Sequence, residues 1–127
     1  MAEAPKRILV AEDNPALLSV IRFNLERADF VVSVAKNGSS AWQQIQKEPF
    51  DLLVTDAQMP GICGIELCRR IRQLPEYREL PVIFLTAKSF EMDQQSLKQN
   101  LNVHAVIPKP FSPSAVVQIV EELLAVV

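Results

Sequence analysis

Strand and helix patterns alternate along the whole of this 127-residue chain, and that alternation limits its fold more than any other feature. Five short apolar runs, typical of buried strands, are each followed by a segment with helical periodicity. Runs of nearly continuous apolar residues are typical of parallel strands that are covered by helices on both sides. We therefore expect a doubly wound α/β fold, with five parallel strands in the order 2-1-3-4-5 and helices on both faces.

Capping residues, prolines and glycines mark the expected boundaries. The expected strands are residues 7–12, residues 31–35, a run after Pro49 that ends at Asp56, a run after Pro81 that ends at Thr86, and a run that ends at Lys109. The expected helices begin after Asn14, after Asn37, after the Met59-Pro60-Gly61 loop (to about Leu74), at about residue 91 (to about 100), and after Ser112. Five βα units of this kind form one domain.

Composition and charge exclude several classes of protein. Hydrophobic residues make up 49% of the chain and charged residues 22%, which is typical of a globular domain and not of a disordered one. The net charge of −2 gives no basic surface for direct nucleic-acid binding. No apolar run approaches the ~20 residues of a membrane span, and the first residues lack the apolar core of a secretion signal. We expect a single cytoplasmic domain over residues 1–127, with its core at about 6–127 and no membrane contact.

The two cysteines are interpreted as structural residues. Cys63 and Cys68 are five positions apart, which fits no CxxC metal or redox motif. Neither has a base or a set of ligands nearby in the sequence. We expect Cys68 on the buried side of the third helix and Cys63 in the loop before it.

Residues suited to phosphate chemistry stand at the carboxyl ends of four of the expected strands. Glu12 and Asp13 follow the first strand, Asp56 ends the third, Thr86 ends the fourth and Lys109 ends the fifth. The carboxyl ends of parallel strands lie along one edge of a sheet, and strands one and three are neighbours at the switch point of this strand order. We therefore expect these side chains to meet in one cleft.

Three carboxylates in one cleft repel one another unless a cation balances their charge. Mg²⁺ prefers octahedral oxygen ligands and usually keeps several waters beside one or two carboxylates. We therefore expect a Mg²⁺ site with Asp13 and Asp56 as direct ligands and Glu12 acting through water. The backbone carbonyl of Gln58 is the expected remaining protein ligand.

Asp56 is the candidate nucleophile, because it lies centrally and alone at the end of its strand. A carboxylate can attack an anionic phosphoryl donor once Mg²⁺ and the ammonium of Lys109 neutralise the charge. The product would be an acyl phosphate that water can remove. The hydroxyl of Thr86, the backbone N–H of Ala87 and the ammonium of Lys109 are expected to bind the phosphoryl oxygens.

Four segments resemble, in their order and spacing, the motifs of the receiver domain of two-component response regulators. They are Ala11-Glu12-Asp13-Asn14, Thr55-Asp56-Ala57-Gln58-Met59-Pro60-Gly61, Leu85-Thr86-Ala87 and Pro108-Lys109-Pro110-Phe111. The resemblance covers essentially the whole chain and implies a flavodoxin-like fold in a bacterial phosphorelay.

The resemblance also implies a function. Asp56 would accept a phosphoryl group from a phosphohistidine of a sensor histidine kinase or a histidine phosphotransfer protein, and the reaction would require Mg²⁺. Such a domain catalyses only its own phosphorylation and dephosphorylation and is otherwise not an enzyme. Thr86, Val106, Lys109 and Pro110 would report the phosphate to the surface made by the fourth helix, the fifth strand and the fifth helix, where an unknown target protein binds.

Val106 and two residues of the last helix depart from simple expectation. Val106 stands where receivers often have a Tyr or Phe that swings inward, and a valine has only one short, stiff rotor. We therefore expect switching to rely on Thr86 and the loop after it. Val117 and Leu124 lie beside the apolar stripe of the last helix, and two interpretations stay open. They widen the core stripe, or with Ala105 and Val106 they form a patch for a partner or a homodimer.

Three alternative functions fit these residues less well. A phosphatase of the haloacid-dehalogenase type would need a second Asp two residues after the nucleophile, where this chain has Gln58. Nucleotide binding is disfavoured because no glycine-rich loop joins a strand to a helix. A degenerate receiver that serves only as a binding module is the remaining alternative, although Asp13, Asp56, Thr86 and Lys109 are all present.

Overall fold

The computed structural model describes residues 4–86 and 101–124 of the chain, and one parallel sheet runs through them. Its strands are β1 (Arg7–Ala11), β2 (Val31–Ala35), β3 (Leu52–Asp56), β4 (Val82–Thr86) and β5 (Ala105–Pro108). The spatial order is β2-β1-β3-β4-β5, so the predicted fold and strand order are confirmed. Glu12 and Lys109 each come directly after a strand rather than within it, which places them at the edge of the sheet.

Helices cover both faces of this sheet in the part of the chain that the structure describes. They are α1 (Pro15–Arg27), α2 (Gly38–Lys47), α3 (Gly64–Ile71) and the last helix (Pro113–Leu123), with a single 3₁₀ turn at Pro75–Tyr77. The helix expected at residues 91–100 lies outside the described residues. None of the described helices has the length and hydropathy needed to span a lipid bilayer.

Side-chain caps fix where three of these helices begin. The side chains of Asn14, Asn37 and Ser112 each accept a hydrogen bond from a backbone N–H in the first turn of the helix that follows. Pro15 and Pro113 occupy the first helical position, where the missing N–H has no cost.

Helix α3 is shorter than the sequence predicts. It ends at Ile71 and not near Leu74, and Leu74 itself has an extended backbone (φ −83°, ψ 123°). The reason is Pro75, because a proline disfavours the helical conformation in the residue before it. The apolar spacing that suggested a longer helix continues into the 3₁₀ turn, where Tyr77 is buried.

The sheet separates two hydrophobic cores, because successive strand residues point to opposite faces. On β1, Leu9 packs into the core under α2 and α3, whereas Ile8 and Val10 pack into the core under α1 and the last helix. Cys68 is completely buried in the first core and Cys63 is the N-cap residue of α3, so both predictions about the cysteines are confirmed. The two cores make the sheet a rigid base for the residues at its edge.

Candidate functional site

Strand register brings the predicted site residues to one edge of the sheet. Ala11 pairs with Thr55, so Glu12 and Asp56 come next to each other on adjacent strands. Asp56 pairs with Leu85, and Thr86 pairs with Pro108, which directly precedes Lys109. The four strand ends therefore form one continuous row, as the sequence predicts.

Lys109 is the electrostatic centre of this row. Its Nζ atom lies 2.9 Å from Oε1 of Glu12 and 2.9 Å from Oδ2 of Asp56. The carboxylates are almost fully buried, with 0% and 5% of the residues exposed, whereas a quarter of the lysine side chain (26%) reaches solvent. Its two carboxylate partners raise the pKa of the ammonium, although burial acts in the opposite direction. The ammonium of Lys109 thus lies between two buried anions.

Glu12 retains unsatisfied acceptor capacity in spite of that ion pair. Burial raises its pKa to about 7, even though contacts with Lys109 and the backbone N–H of Asn14 favour the charged form. Its Oε2 atom accepts the hydrogen bond from Asn14 at 3.1 Å. Its Oε1 atom is buried and accepts no well-aligned hydrogen bond, so Lys109 is only an electrostatic neighbour of that oxygen. A buried acceptor of this kind is suited to a further cation or an ordered water.

The geometry fits a small divalent cation. Carboxylate oxygens of Glu12, Asp13 and Asp56 lie within 4.8 Å of one another, and Asp13 is exposed at the mouth of the cluster. All the donors are hard oxygen atoms, which Mg²⁺ prefers over nitrogen or sulfur. Together with the unsatisfied Oε1 atom of Glu12, this donor set has the composition that Mg²⁺ prefers.

Asp56 is held by the loop that follows β3. Its Oδ1 atom accepts a hydrogen bond from the backbone N–H of Gln58 at 3.0 Å, while Oδ2 faces Lys109. Thr86 is 5% exposed at the next strand end, and its carbonyl accepts the Lys109 N–H at 2.7 Å. Ala87, the predicted backbone donor to phosphate, lies outside the described residues, so its role stays a prediction.

Gly64 and Gly38, which belong to none of the motifs in the sequence, fix the loop after Asp56. A Cβ atom on Gly64 would overlap the carbonyl oxygen of Asp56, and one on Gly38 would overlap the carbonyl oxygen of Ile62. Both are therefore needed for close backbone packing. One feature of the sequence could have indicated this role. Each glycine is the first residue of a helix, although glycine weakens helix formation.

Two of the positions expected to report phosphorylation lie within β5 or shortly after it. Val106 is partly buried and packs against the core under α2 and α3, as a core strand residue would. Pro110 is exposed and is joined to Lys109 by a cis peptide bond.

The only histidine, His104, precedes β5 at the opposite edge of the sheet from Asp56, so it takes no part in the site.

Comparisons with known proteins agree with this geometry. The family model described as the response regulator receiver domain matches residues 8–121. The phosphate regulon transcriptional regulatory protein PhoB of Rhizobium meliloti is 40% identical over 119 residues, which cover 93% of this chain and 52% of that protein. The chain thus spans about half the length of this relative, and 45% of the PhoP regulator of Bacillus subtilis.

Two solved structures are similar over almost the whole chain. One is the receiver domain of the sensor histidine kinase PA1611 from Pseudomonas aeruginosa, with a magnesium ion in its active-site cleft (26% identity, TM-score 0.84, 96% of this chain and 99% of that one). The other is the non-phosphorylated HemR receiver domain from Leptospira biflexa (29% identity, TM-score 0.84, 96% of each chain).

Proposed function

This chain belongs to the response regulator receiver family, and we propose that Asp56 is the residue through which it accepts a phosphoryl group. Receivers of this family are the phosphoacceptors of two-component systems and are not classical enzymes. The observation that carries the assignment is the double contact of Lys109 with Asp56 and Glu12 at the carboxyl edge of the sheet. Asp56 is therefore the buried carboxylate at the centre of the cleft.

The chemistry follows from the charges in the cleft. An oxygen of Asp56 attacks phosphorus and forms the O–P bond of an acyl phosphate. The P–N bond of the phosphohistidine breaks, and its electron pair returns to the imidazole nitrogen. Lys109 balances charge on the phosphoryl oxygens, and the hydroxyl of Thr86 donates a hydrogen bond to one of them. Hydrolysis of the acyl phosphate in the same cleft resets the domain, so the only reactions catalysed are its own.

Glu12, Asp13, Asp56 and the carbonyl of Gln58 are the residues that would hold Mg²⁺. When bound, the ion neutralises the negative charge that two anionic reactants bring together. The unsatisfied Oε1 atom of Glu12 and the three clustered carboxylates support this proposal. So does the magnesium ion in the PA1611 receiver domain.

The partner that donates the phosphoryl group is a sensor histidine kinase or a histidine phosphotransfer protein, in keeping with the kinases among the relatives. The phosphorylated state would be passed to a downstream protein through Thr86, Val106, Lys109 and Pro110. Val106 cannot make the large swing of an aromatic residue, so Thr86 and the following loop would carry most of the signal. A cytoplasmic location and a single domain over residues 1–127 remain predictions.

The two interpretations of the last helix are not equally supported. Val117 and Leu124 are partly buried and pack against the core under α1, which favours a widened core stripe. A homodimer through β5 and the last helix remains a prediction. The degenerate-receiver alternative is not favoured, because the carboxylates and the lysine that the reaction needs are present and are brought together.

The central test is covalent phosphorylation by a small donor. The chain incubated with acetyl phosphate and Mg²⁺ should gain the mass of one phosphoryl group, and this gain should disappear in Asp56→Asn. Asp29→Asn is the matched control, because Asp29 is exposed in the turn after α1 and far from the cleft. Leaving out Mg²⁺ should slow the gain at least tenfold. Equal phosphorylation of the wild type and Asp56→Asn would refute the assignment.

A further inference from the structure

We propose that Thr55 is a positioning residue for phosphorylation, because its hydroxyl fixes the backbone that carries the nucleophile Asp56. The proposal rests on the assignment of Asp56 as the phosphoacceptor and extends it to a residue outside the cleft. In this role Thr55 acts through the peptide groups between Asp56 and Gln58, and not by contact with the phosphoryl group.

The first observation is that Thr55 is a buried polar residue without a role in the cleft. The buried polar and charged residues of the described part of the chain include Glu12, Asp56 and Thr86, which all lie in the cleft. Thr55 is 0% exposed, and the residues before it in β3, 52–54, are all apolar. An apolar side chain would therefore be the ordinary choice at this position. A completely buried hydroxyl is costly unless it makes a hydrogen bond, so its partner is informative.

The second observation is the partner of this hydroxyl. The Oγ1 atom of Thr55 donates a hydrogen bond to the backbone carbonyl of Asp56 at 3.0 Å. The same carbonyl packs against Gly64, where a Cβ atom would overlap it. A carbon atom approaches a carbonyl oxygen only to about 3.3–3.6 Å. A valine in the same rotamer would therefore remove the bond and also push the carbonyl away by a few tenths of an ångström.

The third observation concerns the peptide group between Asp56 and Ala57, which is held at both ends. Its carbonyl accepts the hydrogen bond from Thr55, and its N–H donates to the carbonyl of Leu85 at 2.8 Å. The contact with Leu85 is made by backbone atoms. Thr55 therefore supplies the side-chain bond that sets the rotation of this peptide group about the end of β3.

The next peptide group, between Ala57 and Gln58, depends on the first. Its carbonyl accepts a hydrogen bond from the N–H of Gly64 at 3.0 Å, and its N–H donates to Oδ1 of Asp56 at 3.0 Å. Peptide groups are planar, so rotation of the first one displaces the second as a unit. The carboxylate of Asp56 and the carbonyl of Gln58, the expected Mg²⁺ ligand, would then move relative to each other. Reactions that depend on alignment respond to displacements below 1 Å.

Two pairs of side chains at position 55 isolate the hydroxyl. Thr and Val are both branched and differ in the hydroxyl, whereas Ser and Ala are both unbranched and differ in the same group. At saturating acetyl phosphate and Mg²⁺, Thr55→Val should be phosphorylated about tenfold more slowly than the wild type. Thr55→Ala should be slower than Thr55→Ser by about the same factor. Thr55→Ser should stay close to the wild-type rate, because it keeps the hydroxyl.

Two further measurements do not depend on phosphoryl transfer. Calorimetric titration with Mg²⁺ alone should give weaker binding in Thr55→Val and Thr55→Ala than in the matched proteins that keep the hydroxyl. The backbone N–H of Ala57 should exchange with deuterium faster in the same two variants, because its peptide group is then held at one end only. A wild type that gains no phosphate at Asp56 would refute the proposed function and would leave both of these expectations standing.

Leu53→Val is the control for a general loss of stability. Leu53 lies on the same strand, is completely buried and packs into the same core under α2 and α3. Its shortening removes packing without touching the hydrogen bonds of residues 55–58, so the melting temperature should fall while the phosphorylation rate stays that of the wild type. Thr55→Ser should behave in the same way, because it loses a buried methyl group and keeps the hydroxyl.

Two results would overturn the proposal. One is that Thr55→Val and Thr55→Ala react, bind Mg²⁺ and exchange as their hydroxyl-bearing counterparts do. The other is that the rates of all the variants, Leu53→Val included, simply follow their melting temperatures, since Thr55 would then serve stability alone. If Thr55→Val does not fold, the comparison of Thr55→Ser with Thr55→Ala decides by itself.

Discussion

The Nζ atom of Lys109 lies 2.9 Å from Oε1 of Glu12, yet the glutamate is completely buried and its pKa is raised to about 7. Burial is the main cause, and it exceeds the effect of the lysine in the domain without metal. The cleft therefore keeps a carboxylate at a cost in stability. This cost is expected where a site is built to receive a cation.

We predict that Glu12→Gln stabilises the metal-free domain at pH 8. The pKa of Glu12 is raised from its ordinary value of 4.5 to about 7 in the folded state. The folded state therefore binds the extra proton, and the wild type should lose stability as pH rises from about 4.5 through about 7. Glu12→Gln has no charge to lose, and it should be more stable at pH 8 by about 1–2 kcal/mol, with little difference at pH 4. Urea unfolding without Mg²⁺ measures both values. The idea fails if the wild type and the variant have parallel pH profiles.

We predict that Gly64→Ala disturbs the site more than Gly61→Ala does. A Cβ atom on Gly64 meets the backbone of Asp56, whereas one on Gly61 has no atom within 4 Å and faces only the strain of φ 76°. The expected losses of unfolding free energy are about 2–3 kcal/mol for Gly64→Ala and about 1 kcal/mol for Gly61→Ala. Gly64→Ala should also be phosphorylated more slowly by acetyl phosphate. Equal losses of stability would show that the backbone of β3 yields easily at this point.

We predict that Arg72 is the most costly arginine to replace on α3 and its C-cap. Its guanidinium donates hydrogen bonds to the carbonyls of Leu101 (2.8 Å), Tyr77 (2.8 Å), Leu80 (2.8 Å) and Asn102 (3.0 Å). Arg72→Met leaves these acceptors without a donor, so the expected loss of unfolding free energy is about 2–4 kcal/mol. Arg72→Lys should recover only part of it, because an ammonium cannot reproduce the planar fork.

Arg69→Met is the control for that measurement. Arg69 is on the same helix, but it is half exposed and pairs only with Glu66, one turn away. Its loss should cost less than about 0.5 kcal/mol, as for other surface ion pairs. If Arg72→Met lost as little unfolding free energy as Arg69→Met, this would show that water replaces the guanidinium at the four carbonyls.

The strand ends could be predicted because they depend on local signals. An apolar run that stops at Asp56 or Lys109 shows where a strand ends, and parallel topology then brings these residues together. The role of Arg72 could not be predicted, because its acceptors at Leu101 and Asn102 are about 30 positions away and are carbonyls, which every residue has. Asn102 has φ 55°, a left-handed conformation that asparagine tolerates, so it turns the chain here without a glycine. The effect of Gly64 could not be predicted either, because it depends on which backbone segment packs against this glycine.

We predict that the two cysteines differ sharply in reactivity in the folded domain. Cys63 is partly exposed at the start of α3, whereas Cys68 is completely buried and burial raises the pKa of its thiol to about 11. At pH 8 about one Cys68 thiol in a thousand would be ionised, and the thiolate is the reactive form. Ellman's reagent should therefore modify one thiol quickly in the folded chain and two in denaturant. Cys63→Ser should abolish the fast reaction and Cys68→Ser should keep it. A fast reaction that survives in Cys63→Ser would mean that α3 separates from the sheet often enough to expose the core beside the loop that holds Asp56.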